Sequence, residues 1–199
     1  MVTAYVLVVL LNVSSAPDGP GSSSSTVLVF QGPSVTYSRP DTLSDVFAPV
    51  EGGDSVQACA RTSSGWTGFD PGTAQAGNAG SFRYRWIPPG TRFTTEVDTS
   101  LLPVVWAPEA GVTYAQSFYP VEVHSLPDIM SPVTGTMPQT SAAAIVFRTG
   151  EWYLVDLARG PAPRSCVGWI SAVEVSVSGD LEKVARRGIW RAFLSVLTE

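Results

Sequence analysis

The chain has 199 residues, room for one large domain with a real core. Only 15% of residues are charged, against a usual share of about a quarter, while Gly (18) and Pro (16) are plentiful. That balance argues against a helical bundle and against disorder, and it suits a β-rich chain with many turns. The net charge of −5, the single Lys183 and the absence of any basic run longer than Arg186-Arg187 leave direct nucleic-acid binding and attraction to an acidic membrane surface unsupported.

Residues 5–13 open the chain with an apolar run rich in Val, too short to span a bilayer. It reads as a strand or as the core of a signal peptide cut after Ser14-Ser15-Ala16. No Lys or Arg precedes the run, and Tyr5, Val6, Val8, Val9 and Val13 are β-formers, so the strand reading is preferred. A chain that starts in mid-sheet is then expected to be a piece of something longer, or to complete its sheet with another chain. A second run, residues 25–31, follows a Ser/Gly/Pro loop and predicts the paired strand. Asn12-Val13-Ser14 is a glycosylation acceptor by pattern.

Residues 32–80 are loop-rich, with residues 54–61 too short to assign to helix or strand. Beyond them, Phe82, Tyr84 and Trp86 alternate with Arg83 and Arg85 and predict a strand with one aromatic face. Residues 143–148 and 151–157 flank Thr149-Gly150 and predict a tight hairpin. Residues 166–177 predict the last strand, and Asp180 is placed to cap an amphipathic helix over 181–197 that packs on a sheet. No internal repeat stands out.

Catalytic chemistry finds little footing. His124 is the only histidine, and Ser125 beside it would point to the opposite face of a strand, out of its reach. A structural histidine is therefore preferred to a hydrolase built on His124, Ser125 and Asp128. Gly53-Asp54-Ser55 resembles an esterase nucleophile block, but Val121 stands where that family has an Asp before its histidine. The odd spacing of Glu151 and Asp156 separates them on a strand, against shared acid–base work. Cys59 and Cys166 are too few for a disulfide framework or a four-ligand metal site and read as buried free thiols. No catalytic, cofactor-binding or metal-binding residue and no cofactor is assigned, and no enzymatic activity is expected.

Three segments carry a family resemblance. Residues 5–12 and 25–31, closed by Gly32-Pro33, resemble the last two strands of a capsid jelly roll. Residues 51–61 loosely resemble a segment that precedes a jelly roll, and residues 80–86 resemble a strand downstream of it. Residues 84–90 are also similar to a strand end ahead of Pro-Pro-Gly in picornavirus coats. Together they resemble a picorna-like virus capsid protein of the dicistrovirus, iflavirus or marnavirus kind, or its protruding domain. The resemblance implies an all-β antiparallel sandwich of jelly-roll type with one C-terminal amphipathic helix. Residues 1–33 would complete a jelly-roll-like sheet, 34–80 would connect, and 81–199 would form a β-sandwich region ending in the helix 181–197. It further implies a coat protein of a non-enveloped icosahedral RNA virus, residing in the virion, with other capsid subunits and a host-cell receptor as partners and no membrane span. The alternative is a secreted extracellular β-sandwich binding module.

Overall fold

A computed structural model describes residues 25–73 and 80–185. Strands dominate because short runs of alternating polarity are punctuated by Gly, Pro and Asp turns; in β1 (Thr26–Phe30), Thr26, Leu28 and Phe30 point inward while Val27 and Val29 face out. The first sheet holds β1, β2 (Ser34–Tyr37), β3 (Val46–Val50), β4 (Ser55–Arg61), β5 (Thr67–Phe69), β6 (Arg85–Ile87) and β7 (Phe93–Thr95). The second holds β8 (Tyr114–Gln116), β9 (Val121–His124), β10 (Val133–Met137), β11 (Ala142–Thr149), β12 (Trp152–Asp156), β13 (Val167–Ser171) and β14 (Ser176–Ser178). Both seven-stranded sheets are antiparallel, and the helical pieces among the described residues are 3-10 turns of three or four residues.

Each sheet is curled over its own core. In the first, β3 and β4 stand four places apart, about 19 Å if the sheet were flat. Yet the tight turn 51–54, closed by the Asp54 N–H donating to the Glu51 carbonyl (3.2 Å), joins them directly. Leu28, Phe30, Val50, Ala58, Phe69, Ile87 and Leu102 fill this sheet. Val121, Val123, Met137, Ile145, Val155, Leu157, Ile170 and Val184 are among those that fill the other.

The two sheets share one topology. The strand orders are β3-β2-β6-β5-β4-β1-β7 and β10-β9-β13-β12-β11-β8-β14, the same order with each strand replaced by its counterpart seven later. The agreement extends to irregularities. A bulge falls at Phe47 in β3 and at Thr134 in β10, and another at Cys59 in β4 and Val146 in β11. Tyr37 opposes the buried Trp86 as His124 opposes the buried Trp169. Tyr37 meets Trp66 edge-on at 5.7 Å, and His124 meets Trp152 at 5.6 Å. The 3-10 turns Thr99–Leu101 and Leu181–Lys183 are capped alike by Asp98 and Asp180, and each drops the next residue, Leu102 or Val184, into its own core. The chain contains one β unit twice.

Several expectations are thereby corrected. The jelly-roll type is not found, because a jelly roll sends its chain back and forth between two facing sheets, whereas each sheet here uses one continuous stretch of chain. The divisions at residues 33 and 80 fall inside the first sheet. The helix over 181–197 does not form where it is described: Leu181–Lys183 is one 3-10 turn and Val184 is extended, while residues 186–199 lie outside the described residues, as do the strand over 5–13 and Asn12-Val13-Ser14. Gly80–Arg83 form a 3-10 turn ahead of a short strand, and β6 begins only at Arg85. The single strand over 166–177 is two, interrupted by the 3-10 turn Ala172–Glu174. The expected hairpin forms, but its two-residue turn is Gly150-Glu151, one place later, because Thr149 pairs with Trp152.

Candidate functional site

One surface hairpin loop occurs in both units. Ser38-Arg39-Pro40-Asp41-Thr42-Leu43-Ser44-Asp45 joins β2 to β3, and Ser125-Leu126-Pro127-Asp128-Ile129-Met130-Ser131-Pro132 joins β9 to β10. The shared Ser, Pro, Asp and Ser are the residues that fold it. The Asp41 carboxylate accepts from the Leu43 N–H at 2.7 Å, and Asp128 accepts from Met130 at 2.9 Å, an Asx turn in each case. The Ser44 hydroxyl donates to the Arg39 carbonyl and accepts from its N–H (3.1 and 3.2 Å), as Ser131 does with Leu126. The Ser38 N–H donates to the Asp45 carbonyl and the Ser125 N–H to that of Pro132, both at 2.9 Å. Thus rigidly held, the apex residues Leu43 and Met130 remain 91% and 86% exposed, and Val46 and Val133 beside them are also exposed.

The loops differ at their second position. Arg39 in the first unit reaches across to the second: its guanidinium donates to the carbonyls of Glu109 (3.0 Å), Val112 (3.3 Å) and Ser178 (3.5 Å) and to the Ser178 hydroxyl (3.2 Å). Its charge also lies 5.7 Å from the Phe82 ring and 5.5 Å from that of Tyr114. Burial lowers its pKa, which leaves so basic a group charged. Beside it opens a polar cleft of about 400 Å³ between the units, rimmed by Leu43, Asp45, Asp180 and Lys183. Leu126, at the Arg39 position of the second unit, is 57% exposed. A second groove of about 380 Å³ in the first unit is lined by Phe47, Val50, Val56 and Phe69, with Asp70 at its rim. The Arg85 guanidinium stacks 4.9 Å from the Phe47 ring there, and Asp70 pairs with Arg83 at 3.2 Å.

The residues singled out for catalysis are not brought together. His124 is buried, its Nδ1–H donates to the Ser131 carbonyl (3.2 Å), and its Nε2 lies 3.8 Å from Glu122, so the imidazole ties the loop to β9 rather than activating Ser125. Asp128 is spent on the Asx turn. Gly53-Asp54-Ser55 forms the β3–β4 turn, in which the Asp54 carboxylate accepts from the Glu51 N–H at 2.8 Å. Glu151 sits exposed in a hairpin turn, and Asp156 caps a 3-10 turn through the Ala158 N–H (2.9 Å). Cys59 in β4 and Cys166 just ahead of β13 are free and half-buried, and burial pushes the Cys59 thiol above its ordinary range. Among the described residues no group of three His, Cys, Asp or Glu side chains could hold a metal ion, and no helix is long and apolar enough to cross a membrane. The paired loops and Arg39 were missed in the sequence, although Ser-x-Pro-Asp-x-(Leu/Met)-Ser stands in it twice.

No family model and no curated protein matches the chain. A solved structure, NlpC2 from Trichomonas vaginalis, aligns with 83% of this chain and 52% of its own at 13% identity and a TM-score of 0.28, so the chain spans about half the length of that neighbour. The expectation that this chain is not an enzyme is not retained. A likeness at that TM-score carries no argument about what the chain does.

Proposed function

We propose that the chain is a binding module that engages its partner through two copies of one rigid finger, Leu43 with Val46 and Met130 with Val133. The observation that carries this is the divergence between the copies. Core positions have changed, with Leu28 and Phe30 answering to Ala115 and Ser117, and Ala58 and Gly68 to Ile145 and Leu154. The finger keeps its hydrogen bonds and its exposed apolar apex in both. A lone exposed leucine asks for no explanation. A large apolar residue at the same place on two independently ordered loops, where neither core uses it, is what a bivalent contact requires. Each finger would fill a small apolar pocket, and a shared scaffold would make the second contact intramolecular. The fitting partner is a protein that offers the same apolar pocket twice.

The experiment is an affinity series against the partner recovered from the native source, with Leu43→Asp, Met130→Asp and the double variant. Each single change should weaken binding about tenfold, and the double change should weaken it beyond either single one. Full affinity in the double variant would remove the reading. A secreted setting fits this module but rests on no further observation.

The coat-protein reading is retained second, for one observation: exposed apolar fingers are also what contacts between subunits would bury. Electron micrographs of the purified chain separate the two. Closed shells favour the coat, with capsid subunits and a host receptor as its partners, and monodisperse particles of one chain favour the module.

A further inference from the structure

The duplication supplies an internal template for the groove that stands open in the first unit. Strands β5 and β12 end alike: Asp70 accepts from the Gly72 N–H and Asp156 from the Ala158 N–H, both at 2.9 Å. Phe69 opposes Arg85 as Val155 opposes Gly168, so Pro71 answers to Leu157 and Arg83 to Cys166. In the second unit these two residues close the place. Leu157 is buried, its N–H donates to the Cys166 carbonyl at 3.0 Å, and Cys166 is packed against the core to which Leu157 belongs. The Cys166 Sγ also lies so near β10 that a Cβ added at Gly135 would meet it at 3.1 Å. In the first unit Pro71 has no N–H to make that bond, and the Arg83 carbonyl accepts from Arg85 Nη1 at 3.3 Å instead. The Arg83 side chain turns to Asp70. What remains is the groove of about 380 Å³ lined by Thr36, Val50, Val56 and Phe69, whose counterparts Val123, Met137, Ala143 and Val155 are fully buried.

We propose that this groove is a binding site for a leucine-sized aliphatic side chain on a peptide segment of a partner protein, which supplies from outside what Leu157 supplies to the second unit. The ligand class follows from the lining. Asp70 is the charged residue at the rim, and both its carboxylate oxygens are engaged, Oδ1 by the Gly72 N–H and Oδ2 by Arg83 Nε at 3.2 Å. No free charge therefore asks for a cation or an anion, and the walls favour a neutral apolar group. The volume stands at the low end of ligand pockets, about 300–1,000 Å³, which suits a side chain with its neighbours rather than a large cofactor. The site is separate from the two fingers, since neither Leu43 nor Met130 lines it.

The test titrates the full isotope-labelled chain with the capped peptide Val-Asp-Leu-Ala-Arg, the sequence of residues 155–159, and follows methyl and amide resonances by NMR. Saturable shifts should gather at Val50, Val56 and Phe69, while Val123, Met137 and Val155 stay unmoved. The same peptide with its leucine replaced by aspartate should bind about tenfold more weakly or worse. Pro71→Leu rebuilds the second unit's plug within the first and should weaken the leucine peptide by about tenfold or more. No saturable shift at the groove of the unaltered chain, equal binding of the two peptides, or undiminished binding to Pro71→Leu overturns the proposal.

Discussion

Arg39 shows how one side chain can join two folding units. Its planar fork offers several donors in fixed directions, which suits carbonyls arriving from different segments at 109, 112 and 178, and a lysine could satisfy only part of that set. Arg39→Ala should lower stability by about 2–3 kcal/mol, and Arg39→Lys should recover only a minor part of it, as read from urea unfolding. An unchanged midpoint in Arg39→Ala would show that the units are held by other means. Buried titratable groups set a second expectation. Burial raises the Cys59 thiol above its ordinary 9.0 and the Tyr84 and Tyr114 phenols above their ordinary 10.0. In the unfolded chain these groups ionise at ordinary values while the fold still holds their protons. Their contribution is therefore complete below about pH 9 and is lost as pH rises through the raised values. The urea midpoint should fall as pH rises above about 9, and Cys59→Ser with Tyr114→Phe should flatten that fall. The same slope in the double variant would contradict the assignment.

The paired hairpins make equivalence measurable at the level of elements. Ser44 and Ser131 each donate to and accept from the residue five positions earlier, so Ser44→Ala and Ser131→Ala should cost nearly the same, about 1 kcal/mol each. Unequal losses larger than that would mean the loops are alike in trace only. Glycine at 168 marks where β13 presses on β9: an added Cβ would lie 2.5 Å from Val123 Cγ1 and 2.8 Å from the His124 carbonyl oxygen. Gly168→Ala should therefore destabilise the second unit by about 2 kcal/mol or more, seen as a lowered melting temperature. Several elements were legible in the sequence. The alternation of residues 26–30 and the turn signal at Gly150 state their strands through local pattern alone. The last strand was overrun because Val173, Val175 and Val177 continue the alternation through a segment where the backbone makes a 3-10 turn. The helix over 181–197 was expected from apolar spacing, but tertiary packing of Val184 on the second core holds the described part extended.

For the whole molecule, duplication was the feature the sequence concealed. Equivalent residues do not recur at a fixed interval, since the loops after β4, β5 and β7 are shorter in the second copy. The identities that survive, such as Arg61-Thr62 with Trp66 against Arg148-Thr149 with Trp152, are few and scattered. What persists is physical: bulges, caps and aromatic pairs at the same places in two sheets with different core residues. The candidate site was hidden for the same reason, because one exposed Leu or Met says nothing until its counterpart is found. Cross-strand proton contacts measured by NMR in the full chain test this account most directly. It predicts contacts between Tyr37 and Trp86 and between His124 and Trp169, with strand-to-strand contacts confined to 26–95 and to 114–178. Ladders joining strands of the first stretch to strands of the second would contradict it.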